Sequence, residues 1–335
     1  MAASLNVARF MDIFKIVMMN EMEPELSPFG TNNYLDVSDR SLLMLEGNEG
    51  KDLLQRLSTN DLSGLEIGGY SQTILTNEKG RIVEVLSILM LSRDRILLIG
   101  QSKEGERLRA WLDKFIIMED VRTILLNDAY KHFIFYKNDI SRKTAEKQGG
   151  STAGEDWYSL KKSLDLPTDT LAFDEQWGEV SILHLLVNPT QEKSLKLPDR
   201  SSGPAQIQYE RYRLVHGIPV SPNELSDSYN PLEANLGGLV SWTKGCYIGQ
   251  EVIARLDTYK KVQKHLVRVQ LGEQPASLPA KLMDKERETG VITSAVILED
   301  GRSLGLAYIG ANSLSGSEFF FERDGRAVKV ERSSD

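Results

Sequence analysis

Apolar and polar positions along this chain repeat with two periods, and the switches between them mark out its elements. A short apolar run at 42–45 predicts a strand. Asn48-Glu49-Gly50 then opens a helix whose inward face is Leu53, Leu54 and Leu57, ended by Asn60-Asp61. Strand-like runs follow at 70–75, 82–91 and 95–99, separated by the turn sequences Asn77-Glu78-Lys79-Gly80 and Ser92-Arg93-Asp94. Leu108, Trp111, Leu112, Phe115 and Ile116 share one helical face, and 121–126 closes the series as another strand. This order predicts an antiparallel sheet with its helices on one side, a split βαβ or ferredoxin-like module.

The rhythm restarts at 132–136. The polar stretch 137–164, with Gly149-Gly150-Ser151, reads as a surface helix plus a flexible loop. Strand composition returns at 171–173 and 180–187, and Pro189, Pro198 and Pro204 make 188–204 a connection. A helix is expected over 206–216, capped by Gly217 and stopped by Pro219. From 262 onward short strands at 265–271, 290–298, 304–309 and 319–322 predict a small barrel or sandwich. The fold class is therefore α+β: two sheet-plus-helix modules and a C-terminal small β-barrel. The expected division is an N-terminal segment over 1–40 packing on the front modules, then modules over 41–129 and 130–261, and a barrel over 262–335.

Composition narrows this picture. The 335 residues suit two or three domains, and 41% hydrophobic content supplies their cores. A net charge of −8 announces no basic groove, so direct nucleic-acid binding is not expected. No apolar run approaches the roughly 20 residues that a membrane helix needs, so no membrane partner is expected either. The segment through Met22 is mildly amphipathic and reads as a short helix or frayed tail. An organelle-targeting peptide is the rival reading; Asp12 and the scarcity of arginine weigh against it. The single cysteine excludes an intrachain disulfide framework and an all-cysteine metal cage, and points to a reducing cytoplasm. No metal ligands are assigned, and a monomer is expected.

That cysteine lies in Lys244-Gly245-Cys246-Tyr247-Ile248-Gly249-Gln250-Glu251. A thiol becomes reactive as its thiolate, which a nearby cation or a helix N-terminus stabilises. Lys244 supplies a cation, and Ile248, Val252, Leu256 and Tyr259 at helical spacing place a helix just beyond the thiol. Cys246 and Lys244 are thus the candidate catalytic residues. The bland alternative is a cysteine packed as a small hydrophobe. Arg255 follows Glu251 at i+4, the spacing of a surface ion pair; contact with a carboxylate tail is the sharper option. Tyr247 suits stacking on a ring or packing in a core. Lys260, Lys261 and Lys264 read as a solvated face, with an anionic polyglutamate tail as a possible partner.

The Lys-Gly-Cys-Tyr-x-Gly-Gln-Glu segment resembles the signature of the YgfZ family of folate-binding proteins, relatives of the glycine cleavage T-protein, an aminomethyltransferase. Further similarities are Thr59-Asn60-Asp61, the run 111–116 with Asp120-Val121, Gly217-Ile218-Pro219, Asn230-Pro231-Leu232-Glu233, the run 289–294 and Gly305-Leu306-Ala307-Tyr308. The resemblance implies a clover-leaf arrangement around a central cavity that admits tetrahydrofolate or a related folate. It implies a role in iron–sulfur cluster assembly or repair, with a consequent effect on tRNA modification, and iron–sulfur proteins or assembly factors as partners. Tyr247, Gln250, Glu251, Arg255 and Glu84 are then the expected folate contacts. Two departures from the T-protein pattern stand out. The second carboxylate of its Asp-Asp pair is replaced by Val85, beside Glu84, and the glutamate of its Arg-Leu-Glu-Ala-Gly segment by Val215. Valine moves no proton and accepts no hydrogen bond. Aminomethyl transfer to tetrahydrofolate and a non-catalytic binding module remain the alternatives to an accessory protein.

Overall fold

The computed structural model of the chain describes residues 33–136, 170–177, 180–195, 197, 205–284, 287–314, 319–324 and 326–332. The N-terminal amphipathic stretch and the polar stretch 137–164 lie outside them. The chain forms two compact units, one from the described parts of Met1–Asp39 and Leu126–Tyr209, the other from Arg40–Leu125 and Glu210–Asp335.

The larger unit opens with β2 (Leu42–Glu46), α1 (Gly50–Leu57), β3 (Tyr70–Thr76), β4 (Ile82–Ser92), β5 (Arg95–Gly100), α2 (Gly105–Asp113) and β6 (Arg122–Leu125). Its strands form an antiparallel sheet in the order β3-β4-β5-β2-β6. Alternation sends Leu43, Leu45, Leu86, Ile88, Ile96 and Leu98 to one face, where they meet Leu53, Leu54 and Leu57 of α1 and Leu108 and Leu112 of α2. Each fully buried leucine there contributes about 2 kcal/mol of apolar transfer. Helix α2 stops at Asp113, earlier than the apolar spacing predicts. Phe115 nevertheless packs on Trp111, with ring centroids 4.8 Å apart.

The smaller unit holds β1 (Asn33–Asp36), β7 (Lys131–Tyr136), β8 (Leu171–Trp177) and β9 (Val180–Val187), paired β1-β7-β9-β8. One face carries Tyr34, Phe133, Phe135, Leu183, Leu185 and Val187. The other carries a buried polar chain: Glu175 Oε2 lies 3.2 Å from His184 Nε2, and His184 Nδ1 lies 2.9 Å from His132 Nε2. Trp177 donates its indole N–H to the same carboxylate oxygen. Helix α3 (Ala205–Val215) carries the chain from one unit into the other, and Gly217 follows it at φ +67°.

Beyond α3 come α4 (Gln250–Thr258) and a closed six-stranded barrel. Its strands are β10 (Lys264–Leu271), β11 (Ala280–Asp284), β12 (Arg287–Ile297), β13 (Ser303–Gly310), β14 (Phe319–Arg323) and β15 (Arg326–Arg332), ordered β10-β13-β12-β11-β14-β15. Strands β1, β11 and β15 were not legible as strands. They are short or charged, and their character comes from pairing. A bulge in β12 leaves Thr293 without a register partner. It turns two successive hydroxyls the same way, and both Thr293 and Ser294 donate to Glu224. Arg213, fully buried at the end of α3, completes this node by donating to Glu224, Glu210 and Ser294. Tyr308 adds a bond from its hydroxyl to the Glu224 carbonyl.

Candidate functional site

The cysteine segment is held from three sides. Lys244 points inward, 9% exposed, and its ammonium donates to the carbonyls of Ser58 at 2.8 Å and Asn60 at 2.6 Å. Those carbonyls lie just past the end of α1, where a helix presents partial negative charge. Burial pushes the Lys244 ammonium down to about 8, with nearby Asp61 opposing the shift. Tyr247 is buried with Val240 and Ile253, and its ring centroid lies 5.5 Å from Lys244 Nζ. Burial pushes its phenol up to about 12. Tyr247 therefore packs in a core rather than presenting its ring.

The third hold is backbone on backbone. Gly249 sits at φ +82°, and a Cβ there would come within 2.5 Å of the Asn77 carbonyl oxygen. Gly80, at φ +66°, meets Val252 and Ile253 across the same contact. Only glycines permit this approach of the Asn77–Gly80 turn to the start of α4. Thr76 adds a hydroxyl bond to the Ile248 carbonyl, and Thr59 bonds through its hydroxyl to the Leu239 carbonyl at 2.6 Å. Gly245 has open space where a Cβ would stand, and Cys246 is exposed. The packed-cysteine alternative is thus not what the structure shows. Gln250 is half-buried at the start of α4, and Glu251 and Arg255 are exposed along it. The ion pair that their spacing suggests is not formed among the described residues.

Glu84 is placed otherwise. It is buried in β4, and Oε1 accepts from the backbone N–H groups of Val85 at 3.1 Å, Gln101 at 3.0 Å and Ser102 at 3.2 Å. Oε2 accepts from the Ser102 hydroxyl. Burial raises its carboxyl above the ordinary range, and these donors oppose that shift. A Cβ on Gly100 would stand 3.0 Å from the carboxylate, so the glycine makes room for it. Val85 is buried as well.

Two carboxylates that could stand in for the missing T-protein glutamate, Glu210 and Glu233, are also engaged. Both oxygens of Glu210 accept from Arg213, at 2.9 and 2.6 Å. Glu233 Oε2 accepts from Arg81 at 2.9 Å and from the Asn230 N–H at 3.1 Å. Val215 has only its carbonyl to offer, and that accepts from Arg268. These residues do not fit the pterin edge of a folate in the T-protein manner. Sequence reasoning missed the partners of Lys244 and the Gly80–Gly249 approach. The turn Asn77-Glu78-Lys79-Gly80 and Thr59-Asn60-Asp61 carried the signal, but nothing local ties them to residues far along the chain.

An α+β arrangement of sheet modules with a closed six-stranded barrel is the fold of the glycine cleavage aminomethyltransferases. The structure of aminomethyltransferase T from Bartonella henselae superposes with a TM-score of 0.70 at 18% identity, covering 91% of this chain and 86% of that one. Residues 31–135 match the family model for the GCVT N-terminal domain. The aminomethyltransferase of Aquifex aeolicus is 25% identical over 316 residues, 88% of this chain and 80% of that protein. The mitochondrial iron–sulfur cluster assembly factor IBA57 homolog of Cryptococcus neoformans is 26% identical over 248 residues, 70% of this chain and 65% of that protein.

Proposed function

We propose that this chain is a YgfZ-type accessory protein of iron–sulfur cluster assembly or repair, built on an aminomethyltransferase fold and taking a folate-like ligand. Its effect on tRNA modification follows from cluster supply to modifying enzymes. The observation that carries the reading is the exposed Cys246 thiol on a segment pinned by Lys244, Tyr247 and Gly249. One thiolate is one cluster ligand, so a partner protein supplies the others and the cluster is cargo. Ligation releases the thiol proton. Lys244 is a positioning residue, since its ammonium is spent on two carbonyls. Similarity to aminomethyltransferases and to the assembly factor supports the two halves of the reading. No step of this chemistry runs through the folate, because the residues at the pterin position do not fit it.

Replacing Cys246 with Ala tests the reading in cells. Iron–sulfur enzyme activity and the tRNA nucleosides that such enzymes make should fall while the protein stays folded; unchanged activity refutes it. Aminomethyl transfer is the second reading, favoured by the coverage of the Aquifex enzyme. Turnover of tetrahydrofolate with aminomethyl-lipoyl carrier protein above background would put it first. Titration calorimetry with reduced folates separates both from a pure scaffold, which would release no binding heat.

A further inference from the structure

The loop between α2 and β6 presents two large apolar side chains to solvent: Ile117 is 84% exposed and Met118 93%. Single exposed hydrophobics need no explanation, but these two are adjacent and the backbone beneath them is clamped. The N–H groups of Ile117 and Met118 both donate to Glu119 Oε2, at 2.8 and 3.1 Å. Glu119 Oε1 accepts from Arg56 at 3.0 Å. The backbone donors and Arg56 hold the Glu119 carboxyl down to about 2. Asp120 N–H donates to Glu49 at 2.6 Å, and the Asn48 amide donates to the Asp120 carboxylate at 2.8 Å. Gly47, at φ +136°, lets the Asp120 carbonyl approach to where a Cβ would stand. Just before the pair, Ile116 packs against the core under the sheet.

A loop fixed in this way loses little entropy when a partner covers it. Two side chains are too small for a whole interface, yet they suit an anchor within one. The carboxylates tied to the loop, Glu119, Asp120, Glu49 and Asp52, outnumber the Arg56 guanidinium. Charge of that sign repels anionic lipid and nucleic acid, and it sets the same loop of a second copy against its own kind. It fits an apolar groove edged by lysine or arginine on a different protein.

The clamp also fixes where that protein sits. Arg56 lies in the last turn of α1, and Ser58 follows two residues on, at most about 7 Å away. The Ser58 carbonyl accepts from Lys244, two residues before Cys246. One end of α1 thus anchors both the apolar loop and the segment of the thiol. A footprint of the usual size, about 800 Å² per partner and roughly 30 Å across, reaches from one to the other. We propose that Ile117 and Met118 are the docking anchor for the iron–sulfur protein that shares its cluster with Cys246, received in a basic-edged apolar groove of that protein. The assignment rests on the reading of Cys246 as a cluster ligand.

The test compares the double variant Ile117→Asp/Met118→Asp with Cys246→Ala in cells at native expression. Both should lower iron–sulfur enzyme activity, the double variant by at least about fivefold; about tenfold overexpression should restore the double variant, whose docking is only weakened, but not Cys246→Ala. The purified double variant should stay folded and keep its rate of Cys246 alkylation, since both replaced side chains are exposed. Asp52→Lys, which reverses a charge beside the loop, should lower activity about threefold. Parent-level activity in the double variant beside a loss in Cys246→Ala overturns the docking and leaves the role of the thiol standing. Parent-level activity in Cys246→Ala overturns that role and the docking with it. A loss that overexpression leaves unrepaired, or an unaltered or raised activity in Asp52→Lys, also overturns the proposal. So does binding to phosphatidylglycerol vesicles, or a dimer in sedimentation, that the double variant abolishes.

Discussion

Strand β4 around Glu84 and the loop around Cys246 belong to one unit, yet they treat their chemically able side chains in opposite ways. Glu84 is buried and its oxygens are consumed by three backbone N–H groups and a hydroxyl. Around Cys246 the neighbours are consumed instead: Lys244 by two carbonyls, Tyr247 by a core, Gly249 by a close backbone approach. The thiol is left in the open. A carboxylate with both oxygens bonded within the fold is a structural element, whereas an exposed thiol on a pinned loop is free to meet a partner. The proposed function rests on this difference: the carboxylate's oxygens are taken up by the fold, and the thiol is open to a partner.

The sharpest way to break this contrast is to remove the Glu84 carboxylate. Glu84→Ala takes the acceptor from the Val85 and Ser102 N–H groups, while the Gln101 N–H keeps the Val85 carbonyl at 3.2 Å, and should cost about 4 kcal/mol in urea unfolding. Glu84→Gln retains one acceptor and should cost about 1 kcal/mol. A comparable loss in both would assign the carboxylate's charge, not its acceptors, the structural role. Next comes Gly249→Ala, which forces a left-handed alanine against the Asn77 carbonyl; about 3 kcal/mol should be lost. Lys244→Met orphans the Ser58 and Asn60 carbonyls and should cost about 2 kcal/mol while changing the alkylation rate of Cys246. An unchanged alkylation rate would deny Lys244 its positioning role. Smallest is Cys246→Ala, expected within about 0.5 kcal/mol of the parent because the side chain is exposed. Its effect belongs to function alone.

Lys244 also sharpens the contrast through pH. The folded ammonium titrates near 8, well below its ordinary value in an unfolded chain. Between those two values the unfolded chain holds a proton that the folded chain has released, so this group makes stability rise with pH across that window. Below it both states are protonated and the contribution is flat. Lys244→Met should abolish the rise, measured as the difference in unfolding free energy between pH 7 and pH 10.

Much of the fold was legible. Leu53, Leu54 and Leu57, the alternating runs of β3, β4 and β5, and Gly217 behind α3 each state their conformation through local chemistry. The helix just beyond the thiol was legible from Ile248, Val252, Leu256 and Tyr259 at helical spacing, and α4 stands there. The site was legible only as a list. Tyr247 was equally suited to ring stacking or to packing, and Glu251 and Arg255 had the spacing of an ion pair that they do not form. Tyr247 meets Val240 and Ile253 only once the loop folds against α4, and Glu251 and Arg255 stay exposed to solvent, outcomes that spacing along a helix does not report.

Residue order alone determined most of the strands and helices here, because periodicity and turn chemistry act over a few residues; β1, β11 and β15 became strands only through pairing. It also determined that Val85 and Val215 can neither accept a bond nor move a proton. Tertiary structure decided that Lys244 turns inward, that Glu84 is spent on backbone donors and that Cys246 stays exposed. Those outcomes depend on desolvation and on which buried polar groups find partners, and both are fixed only when distant segments meet.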